Sequence, residues 1–122
     1  MRRRGVSQKG PSKKVLRSVE VEGDVTIAPV PVTFGEDVTV QYQGMLAKGG
    51  AEQIYLHMGY GPADRWQFIA DIPMEKVGNA WEAKFEVKDD SRLNFCFRDN
   101  AGNWDNNNGR NWSVEVHSGK QY

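Results

Sequence analysis

AWEAKFEVK, residues 80–88, alternates without a break. Trp81, Ala83, Phe85 and Val87 fall on one side, and Glu82, Lys84, Glu86 and Lys88 on the other. A period of two is the mark of a strand with one face buried and one in water. A helix would bring its apolar residues round every three or four positions.

The same period extends in both directions. RLNFCFRD (92–99) puts Leu93, Phe95 and Phe97 on one face. EDVTVQYQGML (36–46) repeats it at Val38, Val40 and Tyr42, and EQIYLHMGY (52–60) at Ile54, Leu56 and Met58, with Tyr55 and His57 opposite. WQFIADI (66–72) reads as a short strand, and NWSVEVH (111–117) closes the set with Trp112, Val114 and Val116. SVEVEGDVTIAPVPVTF (18–34) alternates Val with polar residues until Pro29 and Pro31, which lack a donor for a ladder and point to a sheet edge. Turn signals separate these runs: KGG, GYGPAD, VGNA, KDDS and DNAGNWDNNNGR. No sustained helical period occurs. The expected fold is all-β, an immunoglobulin-like antiparallel sandwich of about seven short strands, without the cysteine pair of antibody domains.

The chain has 122 residues, enough for one domain with a real core. Its mean hydropathy of -0.67 is low. Much of that polarity lies at the N-terminus, where MRRRGVSQKGPSKKVLR holds seven of the sixteen basic residues and no acid. The remainder carries nine basic and sixteen acidic groups, so apparent neutrality is the sum of a basic tail and an acidic body of formal charge -7. Residues 1–18 read as a disordered basic tail, 19–118 as the sandwich and 119–122 as a short tail. No stretch is apolar over the length of a membrane span, and no apolar run follows the basic start as a secretory signal would require. If Met1 is the true start, the expected location is the cytoplasm. A single cysteine, Cys96, excludes an internal disulfide and a thiolate metal cluster.

Catalytic motifs are missing. There is no nucleophile elbow, phosphate loop or dinucleotide fingerprint. His57 and His117 stand far apart, with no acid or cysteine at metal-ligand spacing. An EF-hand register begun at Asp105 meets Gly109 at its fifth position and Arg110 at its sixth, where Asp or Asn and then Gly are needed. The chain is read as non-catalytic, with no cofactor and no metal.

The tryptophans carry the functional signal. Trp81 and Trp112 lie in strand phase and belong to the core. Trp66 follows a Gly-Pro turn, and Trp104 sits within RDNAGNWDNNNGRNW (98–112), where eight of fifteen residues are Asn or Asp. Neither is in phase with an extended apolar face. An exposed ring among polar neighbours is a recognition device, since it offers a large rigid surface at low entropic cost. A pyranose is a fitting partner: its C–H face packs on a ring, and its hydroxyl rim needs groups that both donate and accept, as asparagine amides do.

IYLHMGYGPADRW, GNAWEAKFEV and LNFCFRDNAGNWDNNNGRNW together resemble a family 25 carbohydrate-binding module and its relative, family 53 of starch synthases. The likeness spans roughly residues 20–117, and NWDNNNGRNW is its most specific part. It implies non-catalytic binding of α-1,4-glucans (starch, glycogen, maltooligosaccharides), with Trp66 and Trp104 stacking on glucose units and His57 completing the platform or bonding a hydroxyl. Asn106, Asn107 and Asn108 would either meet hydroxyls or only shape the turn. The partners implied are an α-glucan and, where the module is attached, a catalytic domain or second module. Two other readings remain at this stage: an immunoglobulin-like protein-interaction domain, and nucleic-acid binding through the basic tail, against which the acidic body argues.

Overall fold

Local alternation becomes pairing between distant strands. The computed structural model describes residues 19–119; the tail assigned to 1–18 and residues 120–122 lie outside the described residues. In chain order the strands are β1 (Val19–Val21), β2 (Val25–Ala28), β3 (Asp37–Tyr42), β4 (Ile54–Tyr60), β5 (Gln67–Pro73), β6 (Glu75–Val77), β7 (Ala80–Glu86), β8 (Leu93–Asp99), β9 (Trp104–Asp105) and β10 (Trp112–Val114). A single helical turn, α1 (Met45–Lys48), follows β3. One sheet has the order β1-β2-β3-β7-β6; the other has β10-β8-β4-β5, with β9 paired to β8. All these ladders are antiparallel.

The two inner faces are those the period of two selects. Val25, Ile27, Val38, Val40, Tyr42, Trp81 and Ala83 come from the first sheet. Ile54, Leu56, Met58, Leu93, Phe95, Phe97 and Trp112 come from the second, and all are buried in one cluster. Each large apolar side chain removed from water contributes about 1.5–3 kcal/mol. One stacked pair joins the layers, Tyr42 on Phe97 with centroids 4.0 Å apart, and within the second sheet Trp112 sits edge-on to Phe97 at 5.2 Å.

Three features depart from the sequence reading. Among the described residues the strands number ten rather than about seven, because the single run 18–34 forms two strands and β6 and β9 form where no strand was expected. With three and two residues they are too short to show a period, and exist only through their partners β7 and β8. The proline-bearing segment supplies the edge strand only in its first part, β1, while the part that leads into the prolines is interior. The segment splits into a β1–β2 hairpin; β2 lies between β1 and β3, and the prolines fall just past its last residue, where no ladder donor is required. Phe85 is half-buried rather than a full core member.

Candidate functional site

Both faces of β4 and β8 are occupied, which is unusual for a sandwich strand open to solvent on one side. Antiparallel register pairs His57 with Asp71 and with Cys96, and Tyr55 with Arg98. These residues therefore share the outer face of the second sheet. Arg98 in turn pairs with Trp104 on β9. The period of two then turns Trp104 outward and its neighbour Asp105 inward, where Asp105 Oδ2 accepts a 2.6 Å bond from the Tyr42 hydroxyl. Burial first, and the Asp105 carboxylate second, raise that phenol well above its usual range, so it remains a donor.

The hairpin that carries Trp104 is closed by Asp99. Its carboxylate accepts bonds from Asn103 Nδ2 at 3.0 Å and from the backbone amides of Ala101 and Asn103 at 3.0 and 2.8 Å. The Asn103 side chain, with these amides, holds the Asp99 carboxyl below the ordinary carboxylate range. Trp104 itself is 47% exposed.

Trp66 reaches the same face from the other side. Its indole Nε1 donates to Ala63 O at 2.8 Å, and its base rests on Gly59, where an added Cβ would meet Trp66 Cβ at 2.9 Å. The preceding loop is pinned by buried Asn94, whose Nδ2 donates to Gly61 O at 2.9 Å. The His57 ring lies between the two indoles. Its centroid is 5.8 Å from Trp66 at 34°, and 5.2 Å from Trp104 at 88°. The three rings thus form a bent surface over an open groove of about 390 Å³, lined also by Ala63, Asp64, Ile69, Cys96, Asn106 and Asn111. The Cys96 thiol is pushed up to about 12, mainly by burial, and is an inert part of the floor.

The asparagine run divides. Asn106 borders the groove, although its Oδ1 also accepts from Gly109 N at 3.0 Å. Asn107 turns away: its Nδ2 closes the turn on Asn111 O at 3.1 Å. Asn107, Asn108 and Asn111 all take left-handed backbone conformations, with φ of 57°, 58° and 58°, which asparagine tolerates better than other side chains with a Cβ. Asn107 and Asn108 therefore build the turn, and Asn111 joins Asn106 beside the groove.

Asp71, Arg98, Ile69 and Asn111 belong to this face and were not expected from the sequence. A signal existed for Asn111, which immediately precedes core-facing Trp112 and so points the other way. For Asp71 and Arg98 the signal lies only in the register of separate strands. His117 is remote from the groove and forms a bridge with Thr33. Among the described residues no group of three or more His, Cys, Asp or Glu is placed to hold a metal.

Comparison with known proteins points to carbohydrate-binding modules. Residues 38–95 match the model of a starch/carbohydrate-binding module, family 53. That span holds His57 and Trp66 and ends before Trp104. An α-amylase of Clostridium acetobutylicum is 36% identical over 86 residues, which is 69% of this chain and 10% of the amylase. The chain thus spans about a tenth of the length of that relative. The solved CBM25 module of a Bacillus halodurans amylase superposes with a TM-score of 0.50 at 23% identity, over 71% of this chain and 90% of that one, and shares the fold. The chain is similar to carbohydrate-binding modules of families 25 and 53, as its sequence motifs imply.

Proposed function

We propose that the chain is a non-catalytic module that binds carbohydrate, and specifically α-1,4-glucans, on the bent surface of Trp66, His57 and Trp104. The convergence of three rings from β4, the start of β5 and β9 is the observation that carries this reading. A groove with inclined walls suits a curved α-1,4-linked chain, whereas a flat row of rings suits a straight one. Stacking on an indole, at about 1 kcal/mol per contact, orients each glucose. Asn106, Asn111 and Asp64 offer donors and acceptors to the hydroxyl rim. Two or three such stacks, with two or three hydrogen bonds at about 1 kcal/mol each, add to about 4–6 kcal/mol, a dissociation constant from about millimolar to tens of micromolar. Affinity of that order gains from repetition along a polymer or from tethering to a second module or a catalytic domain. Acidic Asp64 and Asp71 beside the rings disfavour a phosphate backbone as the ligand.

The test is retention in gels containing amylose or glycogen, with maltotetraose and cellotetraose titrated against tryptophan fluorescence. Trp66→Ala and Trp104→Ala each reduce retention to background while the chain stays folded, and cellotetraose leaves the emission unchanged. Retention of both variants at the parent level would refute the proposal.

A further inference from the structure

His57 is gripped by side chains that are not part of the ring surface. Its Nδ1 lies 2.7 Å from Asp71 Oδ1, directly across the β4–β5 ladder. Arg98 Nε approaches the same oxygen at 3.5 Å. The Arg98 guanidinium carbon in turn sits 4.3 Å from the centroid of Tyr55, its own cross-strand partner. Stacking on that ring fixes the planar fork, and the fork fixes the carboxylate.

The consequence is chemical. A carboxylate accepts hydrogen bonds and donates none. Partial burial pushes the Asp71 carboxyl up, but bonds from His57 and Arg98, with their charges, outweigh it and hold the group below the ordinary range, so it is ionised near neutrality. A neutral His57 must therefore carry its proton on Nδ1, which leaves Nε2 with a lone pair. Among the described residues no hydrogen bond to Nε2 is formed. Histidine free in water favours the opposite tautomer, so the arrangement is imposed by the protein.

We infer that Asp71, braced by Arg98 on Tyr55, is a positioning residue that makes His57 a hydrogen-bond acceptor toward the ligand. The sugar must then present a hydroxyl that donates at that point of the groove. This inference rests on the glucan reading above and adds a direction to one of its contacts: a methyl ether there is refused, while a hydroxyl is taken.

The experiment follows the tautomer and the affinity separately. Protein labelled with ¹⁵N-histidine is examined by long-range proton–nitrogen correlation at a pH where the ring is neutral, with His117→Gln used for assignment. Maltotetraose affinity is measured on the same samples. The parent chain shows the Nδ1–H tautomer. Asp71→Ala shifts His57 toward Nε2–H and weakens maltotetraose about tenfold, the size of one hydrogen bond. Asp71→Asn keeps a carbonyl acceptor and so restores both the tautomer and most of the affinity, which a role based on charge alone would not do. Asp71 lies on an exposed edge strand, and a thermal melt of each variant checks that the fold survives. An Nε2–H tautomer in the parent chain overturns the inference. So does unchanged maltotetraose affinity in Asp71→Ala when Trp104→Ala has lost it, and in that case the glucan reading stands. Failure of the parent chain to take up maltotetraose defeats the glucan reading itself, whatever the tautomer.

Discussion

The two sheets bury equivalent inner faces and differ in their outer ones. On the first sheet the outward residues of β2, β3 and β7 include Thr26, Thr39, Gln41, Glu82 and Lys84. They are joined by contacts such as Gln41 Nε2 to Glu82 at 2.8 Å and the exposed Lys84–Asp37 pair at 3.9 Å. Such exposed ion pairs contribute at most about 1 kcal/mol. On the second sheet the corresponding positions hold Tyr55, His57, Cys96 and Arg98, and the loop before β5 and the short strand β9 add two indoles above them. Solvation alone explains the first face. It does not explain the second, where Trp104 is left 47% exposed. Stability is therefore a property of both inner faces, and recognition a property of one outer face.

Replacing Trp112 of β10 and Trp104 of β9 breaks this comparison most forcefully. Trp112 stacks parallel to Phe95 at 6.0 Å and donates from Nε1 to Glu22 O at 2.7 Å. Its removal leaves a cavity between the sheets, and Trp112→Ala is expected to cost about 3–5 kcal/mol in urea unfolding. Trp104→Ala removes no core contact and should cost under about 1 kcal/mol, yet abolish glucan retention. Equal losses of stability in the two variants would mean that Trp104 is a packing residue and that the outer face has no separate role.

How far the sequence reveals this division depends on the range of the interactions. Trp81, Phe95, Phe97 and Trp112 were legible because each lies in an alternating run, and alternation is a local property. Trp66 and Trp104 were legible as exceptions to that alternation. The family likeness drew His57 into the site, although its position in the strand alone suggested an ordinary surface histidine. Asp71 and Arg98 were not legible: each is one more polar residue on an outward strand position until the β4–β5 and β4–β8 registers bring both to His57. The three asparagines of 106–108 are alike in sequence. They separate only when the backbone turns left-handed at Asn107 and Asn108 and directs the Asn107 amide back to Asn111. β9 is two residues long and owes its existence to β8, so nothing within it announces a strand.

A smaller perturbation sharpens the comparison from beneath the rings. Gly59 lies under Trp66, and a methyl group there would stand 2.9 Å from Trp66 Cβ and 3.1 Å from its Cε3. In Gly59→Ala the indole must shift, since the backbone on the other side, Gln67 O at 3.2 Å, is part of β5. The expected stability loss is about 1 kcal/mol. The expected fall in maltotetraose affinity is roughly fivefold, about 1 kcal/mol. The two would be read by urea unfolding and by fluorescence titration. Unaltered affinity would show that Trp66 tolerates displacement and contributes area rather than orientation.

Acid produces the mildest effect and tests the hairpin that presents Trp104. The Asp99 carboxyl titrates below its unfolded value because the Asn103 side chain and the Ala101 and Asn103 amides bond its ionised form. A depressed folded value means that the stabilising contribution is fully present above the unfolded pKa of about 4 and is lost as pH falls through the folded value. Between about pH 5 and pH 2 the chain should therefore lose stability, and part of that slope should belong to Asp99. Asp99→Asn cannot titrate, so its unfolding free energy should start lower near neutrality and fall less steeply with acid. Trp104 is the exposed indole borne on this hairpin, and its emission should respond to acid before the far-ultraviolet signal of the sheets does. An unchanged acid slope in Asp99→Asn would remove Asp99 from the account and leave the pairing of β9 with β8 to hold Trp104 on the outer face.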